Sequence, residues 1–353
     1  MHKITFYPLG NADSYLVDLD KGKKLLFDYA QCRDEEDDKD RRIDLASALK
    51  NDLKESDRNY YDVVAFTHCD DDHIGGFSEF FYLQHAEKYQ DEKRVKINEL
   101  WVPAAIVIEE GLTGEAAILR AEARYRLKEG KNIRVFSRPD RLKDWLKKEG
   151  IDIEQRKNLI TDAGNVVPGF SKTTDGVEFF VHSPFAVRHE DKLIDRNETC
   201  LVMQATFLFE NRETMFLLTA DTHYDVWKDI VNITKYHKNE KRLEWDVFKI
   251  SHHCSYTALN EEKGKDKTVP IEEVKWLFNK GNKKGLLIST SKPIPNNDED
   301  KQPPHRQAAN YYKDVAYDID GEFKVTMEHP SEINPKPLVI TIDGFGATLK
   351  KSI

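Results

Sequence analysis

The feature that most constrains this chain is the apolar run Val63-Val64-Ala65-Phe66 together with the ten residues directly after it, Thr67-His68-Cys69-Asp70-Asp71-Asp72-His73-Ile74-Gly75-Gly76. An unbroken apolar run of this length predicts a buried strand. His68, Asp70, Asp72 and His73 therefore leave a strand end within six residues, spaced to face one point from a tight turn. Gly75 and Gly76 let the backbone then close in. Imidazole and carboxylate together are donors for zinc, manganese or iron rather than for calcium or magnesium alone. A solvated acidic turn accounts for the aspartates, but not for a histidine at each end or for the Gly-Gly exit.

Other short apolar runs end in the same kind of residue. Leu25-Leu26-Phe27 runs into Asp28, Leu217-Leu218-Thr219-Ala220 into Asp221, and Phe248-Lys249-Ile250-Ser251 into His252-His253-Cys254-Ser255. Strand ends set side by side at one edge of a sheet sandwich can deliver distant residues to one pocket. Before these comes Tyr7-Pro8-Leu9-Gly10-Asn11-Ala12-Asp13-Ser14-Tyr15-Leu16-Val17. Between them lies Asn197-Glu198-Thr199-Cys200-Leu201-Val202, and after them Gly285-Leu286-Leu287-Ile288-Ser289-Thr290 with Pro303-Pro304-His305.

In this order the segments resemble the metallo-β-lactamase superfamily. His68-x-Asp70-x-Asp72-His73 is similar to its His-x-His-x-Asp-His signature with Asp in the second His position. The adjoining Ile-Gly-Gly resembles the ComEC/Rec2-type hydrolase branch, and Cys254 stands where that branch has Gly. The likeness runs from about residue 3 to about residue 345. It implies an α/β fold, a metallo-β-lactamase-like αββα sandwich, with a helical insertion. It also implies a binuclear hydrolase with two divalent metal ions, zinc or manganese.

Under that resemblance Asp221 bridges the metals. His68, Asp70 and His182, which ends the strand Val177–Val181, hold one ion; Asp72, His73 and His252 hold the other. Apart from metal binding, the motif position of Asp221 also suits a cap for a helix starting near Tyr224. His252 and His253 cannot both face the same way if the strand runs through them. His252 is the expected ligand, with His253 as proton donor. The expected catalytic groups are Asp72, Asp221 and His253. Ser255 and His305 are expected to contact substrate.

Composition narrows the class. A chain of 353 residues, 39% hydrophobic and 33% charged, holds one large α/β domain or two ordinary ones. The absence of a low-complexity linker favours a single hydrolase domain over 1–353, with an inserted cap-like segment from about 104 to 171. No run of about 18 apolar residues occurs, so no membrane span is expected. The start is strand-like rather than a signal peptide, and four scattered cysteines fit a reducing, cytoplasmic setting. Cys69 and Cys254 are expected to pack rather than to ligate.

The net charge of −9 does not mark a nucleic-acid binder, but it is uneven. Asp34-Glu35-Glu36-Asp37-Asp38 is an acidic loop. From Arg120 to Arg141 basic residues dominate, and Arg120 and Arg124 share a face of a helix expected over about 115–129. That face is a candidate phosphate contact. A strand at Ile133–Phe136, a helix from Asp140 to Lys148 and a loop over 292–302 complete the expectations.

Two metal ions about 3.5–4 Å apart can share a hydroxide that attacks phosphorus or a carbonyl. An anionic ligand set suits manganese and phosphodiesters, so the expected activity is a phosphodiesterase or nuclease acting on DNA, RNA or a nucleotide. A lactone, thioester or β-lactam hydrolase is the alternative within hydrolysis. A metal-binding regulatory module of a larger complex is the alternative outside it.

Overall fold

Runs that are apolar at every position become strands covered on both faces, where neither side of the pleat meets water. A computed structural model of the chain describes residues 1–189 and 195–351. Its first half carries β1 (His2–Phe6), β2 (Tyr15–Asp18), β3 (Lys24–Phe27), α1 (Leu45–Glu55), β4 (Tyr60–Ala65), α2 (Asp71–Ile74), α3 (Phe77–Phe80) and β5 (Lys96–Pro103). The segment predicted as an insertion supplies α4 (Ala104–Ile108), α5 (Gly114–Glu129), β6 (Ile133–Phe136), α6 (Asp140–Lys148) and β7 (Ile160–Thr161). Then come β8 (Val177–Ser183), β9 (Val202–Phe209), β10 (Arg212–Leu218), α7 (Tyr224–Tyr236) and β11 (Trp245–Lys249). The chain continues through α8 (Glu272–Phe278), β12 (Gly281–Ser289), α9 (Arg306–Asp318), β13 (Glu322–Val325), β14 (Leu338–Asp343) and β15 (Gly346–Leu349).

These strands form two sheets. One has nine strands in the order β15-β14-β1-β2-β3-β4-β5-β6-β7; the other has six, β13-β12-β11-β10-β9-β8. From β3 to β7 every pair is parallel, and so are β10-β11, β11-β12 and β12-β13.

Period-two alternation sorts side chains between layers. Phe27, Val63, Ala65 and Trp101 face inward and meet Phe179, Met203, Phe216 and Val247 of the other sheet. Tyr15 stacks on Phe27 at 5.0 Å and meets Phe216 of the facing sheet edge-on at 5.9 Å. The intervening residues Leu26, Val64 and Leu100 face outward into a core shared with Leu49, Ile106, Leu119 and Leu142 of the helices. On the far side Leu217, Phe248 and Leu287 pack against α7, α8 and α9. The layers are therefore helix, sheet, sheet, helix.

Helix α5 ends at Gly130, whose φ of 75° is the left-handed C-cap geometry glycine supplies without strain. The segment 104–171, expected as a cap-like insertion, builds onto the sheet and its helical side. β6 pairs in parallel with β5 and β7 with β6, so the segment lengthens the sheet, while α4, α5 and α6 cover its outer face. An unpaired β5 would expose a row of backbone donors and acceptors, and β6 satisfies them. Among the described residues no helix is long and apolar enough to cross a membrane.

Candidate metal centre

The carboxyl ends of β3 and β4 in one sheet, and of β10, β11 and β12 in the other, open on the same edge of the sandwich. Backbone hydrogen bonds tie the loops leaving them: Asp28 N donates to Ala65 O at 2.8 Å, Leu201 N to Thr67 O at 3.0 Å, and His252 N to Ala220 O at 3.2 Å. The turn after β4 closes into the four-residue helix α2. Gly75 is required there, because a Cβ would lie 2.7 Å from Asp71 O. Gly76 comes next at φ 74°, in the left-handed region.

The turn delivers Asp72 and His73 to Asp221 and His253, one ligand atom from each lying within 4.8 Å of the others. His73 is fully buried, its Nδ1 2.8 Å from Asp28 Oδ2 and its Nε2 3.3 Å from Asp221 Oδ1. Asp28 also accepts from Thr67 N and Thr67 Oγ1, each at 2.7 Å, which locks it in place. With Nδ1 bonded to a carboxylate, the His73 ring presents Nε2 to the centre, as metal-ligating histidines do. His253 is held the same way: Nδ1 donates to Thr290 O at 2.7 Å, leaving Nε2 3.2 Å from Asp72 Oδ2 and 3.6 Å from Asp221 Oδ2.

Charge is concentrated here. Burial works against a protonated His73, but Asp28, Asp221 and Asp13 outweigh it and hold its pKa well above the ordinary imidazole value. Burial likewise opposes an ionised Asp221, yet His253 and His73 hold it well below the usual carboxylate range. Asp72 is lowered in the same way, against burial, by its bond to His253 and the charge of His73. His253 is pushed up to about 9, with Asp221 and Asp72 overcoming burial.

The tandem histidines are placed differently from the expectation. β11 ends at Lys249, and His252, His253 and Cys254 have φ of 50°, 49° and 66°. Three successive left-handed residues cost about 1–2 kcal/mol each and turn the chain so that strand alternation no longer governs the side chains. His253, the expected proton donor, enters the four-residue group. His252, the expected ligand, stands beside it at 3.8 Å from Asp221 Oδ2, stacked on His223 with ring centroids 5.2 Å apart. Burial takes its pKa down to about 4 against the pull of Asp221, so its ring is neutral at pH 7.

Three buried atoms converge on the centre without a well-formed hydrogen bond among the described residues, His68 Nε2, His73 Nε2 and Asp221 Oδ1, the last two lying 3.3 Å apart as an ion pair. Buried polar groups left unpaired are costly, and a cation is the partner for which two imidazole nitrogens and a carboxylate oxygen are suited. The donor set thus fits divalent metal. Asp70 lies at the rim, its Oδ2 3.6 Å from His68 Nε2 and its Oδ1 ion-paired to Arg196.

The other expected site residues are held by contacts of their own. His182 Nε2 donates to Arg242 O at 2.8 Å, and the ring lines a cavity of about 170 Å³ with Phe180, Phe185 and Ile230. It is not brought to the centre, because the strand it ends, β8, is the edge of its sheet farthest from β11 and β12. Arg120 Nη1 donates to Glu109 O, and Arg124 binds Val107 O and Glu110, so these arginines fasten the turn after α4. Ser255 and His305 stay beside the His252–Cys254 turn: Ser255 Oγ lies 2.9 Å from Thr257 Oγ1, which bonds His252 Nδ1 at 3.2 Å, and His305 N donates to Cys254 O at 3.0 Å. Cys69 and Cys254 are buried in the two outer cores. The helix cap near Tyr224 falls to His223 rather than Asp221.

Asp28 was read from sequence only as the end of an apolar strand, and several groups at the centre were not singled out at all: Asp13, Thr67, His223, Lys249, Arg196 and Glu109. Asp13 and Lys249 are both fully buried, with Nζ 2.5 Å from Oδ2, and Asp13 lies 3.7 Å from His73 Nδ1. The sequence signals for Asp28 and Lys249 are a charged residue inside or at the end of an apolar run, and all three, Asp13 included, lie in the segments that carry the family resemblance.

No protein-family model and no curated protein sequence matches the chain. Among solved structures it is similar to unliganded yeast PDE1, at 11% identity and a TM-score of 0.45, over 92% of this chain and 96% of that one. It is also similar to the metallo-β-lactamase GOB-18 from Elizabethkingia meningoseptica, at 14% identity and a TM-score of 0.32, over 90% and 89% of the two chains. A long form RNase Z from yeast is similar at 14% identity and a TM-score of 0.33, over 92% of this chain and 40% of that one. The chemistry open to the site is set by its own residues.

Proposed function

We propose that this chain is a binuclear metal-dependent hydrolase of phosphodiesters, acting on nucleic acid or a nucleotide. The observation that carries the reading is the convergence of Asp72, His73, Asp221 and His253, with the buried Nε2 of His68 beside them, from strand ends of both sheets. Asp72, His73 and His253 would hold one ion and His68, Asp70 and His252 the other, with Asp221 within reach of both groups. Divalent ions there supply Lewis acidity and a nucleophile near neutral pH. With Asp70, Asp72 and Asp221 among the donors, manganese competes with zinc.

The chain's own groups do the rest. Asp28 and Thr290 O fix the rings of His73 and His253, so both Nε2 atoms stay aimed inward. Beside the centre opens a cleft of about 570 Å³ bounded by Gly10, Asn11 and Cys32 and lined by Lys39, Arg41, Arg42 and Lys292 together with Asp37, Asp40 and Glu332, Arg42 being ion-paired to Asp40. Cys32 lies close enough for the charges of Asp72 and His73 to act on its thiol, and Lys292 stands two residues after Thr290. The lysines and arginines of this mixed-charge cleft can meet an anionic substrate, and the sequence resemblance to the ComEC/Rec2-type branch supports the same substrate class.

The test is cleavage of end-labelled single- and double-stranded DNA, and of a small aryl phosphodiester, with Mn²⁺ or Zn²⁺. The wild-type chain is expected to cleave at least one of them, and Asp221→Ala to lose about a hundredfold or more while keeping a cooperative melt. Undiminished turnover in Asp221→Ala, or no cleavage of any of the three substrates by wild type, refutes the reading.

A further inference from the structure

The centre gathers five carboxylates, from Asp13, Asp28, Asp70, Asp72 and Asp221, and Lys249 answers one of them from inside. Among the described residues Arg196 is the other permanent cation in contact with this group. Its guanidinium is gripped on one side by Glu109: Nε lies 3.2 and 3.1 Å from the two carboxylate oxygens, and Nη2 lies 2.9 Å from Oε1. Nη1 on the other side reaches Asp70 Oδ1 at 2.5 Å. A planar fork held by two bonds has its third direction already set, which a lysine cannot reproduce.

The contact leaves Asp70 Oδ2 free, and that oxygen sits 3.6 Å from the unpartnered Nε2 of His68. Two donors about 2.1 Å from one tetrahedral ion lie about 3.4 Å apart. The arginine thus occupies the oxygen pointing away from the centre and presents the other one to it. Glu109 is itself secured. It caps α4, its carbonyl accepts from Arg120 Nη1 at 2.7 Å, and Arg124 Nε donates to Val107 O at 2.8 Å two residues earlier. A line of contacts runs from the basic face of α5 through the 107–110 turn and Glu109 to Arg196 and Asp70.

Resting on the metal-hydrolase reading above, we propose that Arg196, clamped by Glu109, is a positioning residue. It aims Asp70 at the ion shared with His68 and offsets the charge that an anionic ligand adds at that position. Arg120 and Arg124 serve the site from behind, by fixing the turn that carries Glu109, rather than by meeting substrate.

The test titrates the metal-stripped full-length chain with Mn²⁺ by calorimetry, which reads stoichiometry and affinity without turnover. Wild type is expected to take up two ions. Arg196→Ala is expected to weaken one of the two events by about 10–100-fold and leave the other within about twofold, with Arg196→Lys recovering only part of the loss. In an Asp70→His background, where the ligand is neutral and has no oxygen to steer, Arg196→Ala is expected to change neither event. Two unchanged events in Arg196→Ala overturn the proposal. So does an equal loss from Arg196→Ala in the two backgrounds, which marks a general structural role. A wild-type chain that binds no divalent ion overturns the metal centre itself, and this proposal with it. Should Arg196→Ala lose its cooperative melt, Glu109→Gln decides in its place: a selective weakening of one event supports the clamp, and unchanged titration refutes it.

Discussion

Replacing Lys249 by Met tests whether the buried charges of this centre are mutually dependent. Lys249 ends β11 of one sheet, and Asp13 lies in the loop between β1 and β2 of the other, so their 2.5 Å contact staples the two sheets beneath His73. Neither group makes a well-angled hydrogen bond among the described residues, which leaves Coulomb attraction as the main interaction. That attraction is large enough to matter. Burial pushes the Asp13 pKa up, and Lys249 and His73 more than reverse it, bringing it below the usual value. Lys249→Met keeps the volume and strands a carboxylate in the interior, a change that costs about 3–5 kcal/mol. An unfolding entropy of roughly 2.1 cal/mol/K per residue amounts to about 0.74 kcal/mol/K over this length, so Tm should fall by about 4–7 °C. Differential scanning calorimetry of the metal-free protein measures it directly. Asp13→Val combined with Lys249→Met removes both charges and should recover most of the loss, because an apolar pair of similar volume carries no desolvation penalty. A single mutant melting within about 1 °C of wild type, or a double mutant no more stable than the single, refutes the reasoning.

Two further outcomes are expected from the contacts. His182→Ala should leave metal stoichiometry and turnover unchanged while costing about 1–3 kcal/mol in a denaturant melt, since Arg242 O loses its donor; loss of a bound ion would return His182 to the centre. Asp175 accepts from Lys23 Nζ, Thr174 Oγ1 and Ser171 N, and these outweigh burial to bring its pKa down to about 2. A carboxylate depressed on folding adds stability that is fully present above its unfolded pKa of about 4 and is lost as pH falls toward 2. Asp175→Asn should therefore be less stable than wild type at pH 6, with the gap narrowing below pH 4; a gap constant from pH 6 to pH 2 contradicts this.

Much of the architecture is legible from local pattern. The uniformly apolar Leu25–Phe27 and Val63–Phe66 read as strands because both their faces are covered, and the helix Gly114–Glu129 and strand Ile133–Phe136 lie where composition places them. Ligand chemistry at strand ends is equally visible at His68–His73 and at Asp221, since a charged group ending an apolar run has few structural reasons to be there.

The sequence by itself determined which chemistry is available: imidazoles and carboxylates at the ends of buried strands, with glycines to turn the chain between them. Only the tertiary structure decided which of those groups meet. His253 rather than His252 faces Asp72 because three left-handed residues interrupt the strand, a backbone choice that no residue type announces when the third is cysteine instead of glycine. His182 is drawn to Arg242 O because β8 sits at a sheet edge. Asp28, Asp13, Lys249 and Arg196 reach the centre across separations of 45 to 236 residues, from Asp28 with His73 to Asp13 with Lys249. Such meetings are set by how two sheets stack and which strands lie adjacent, and local pattern carries no term for either.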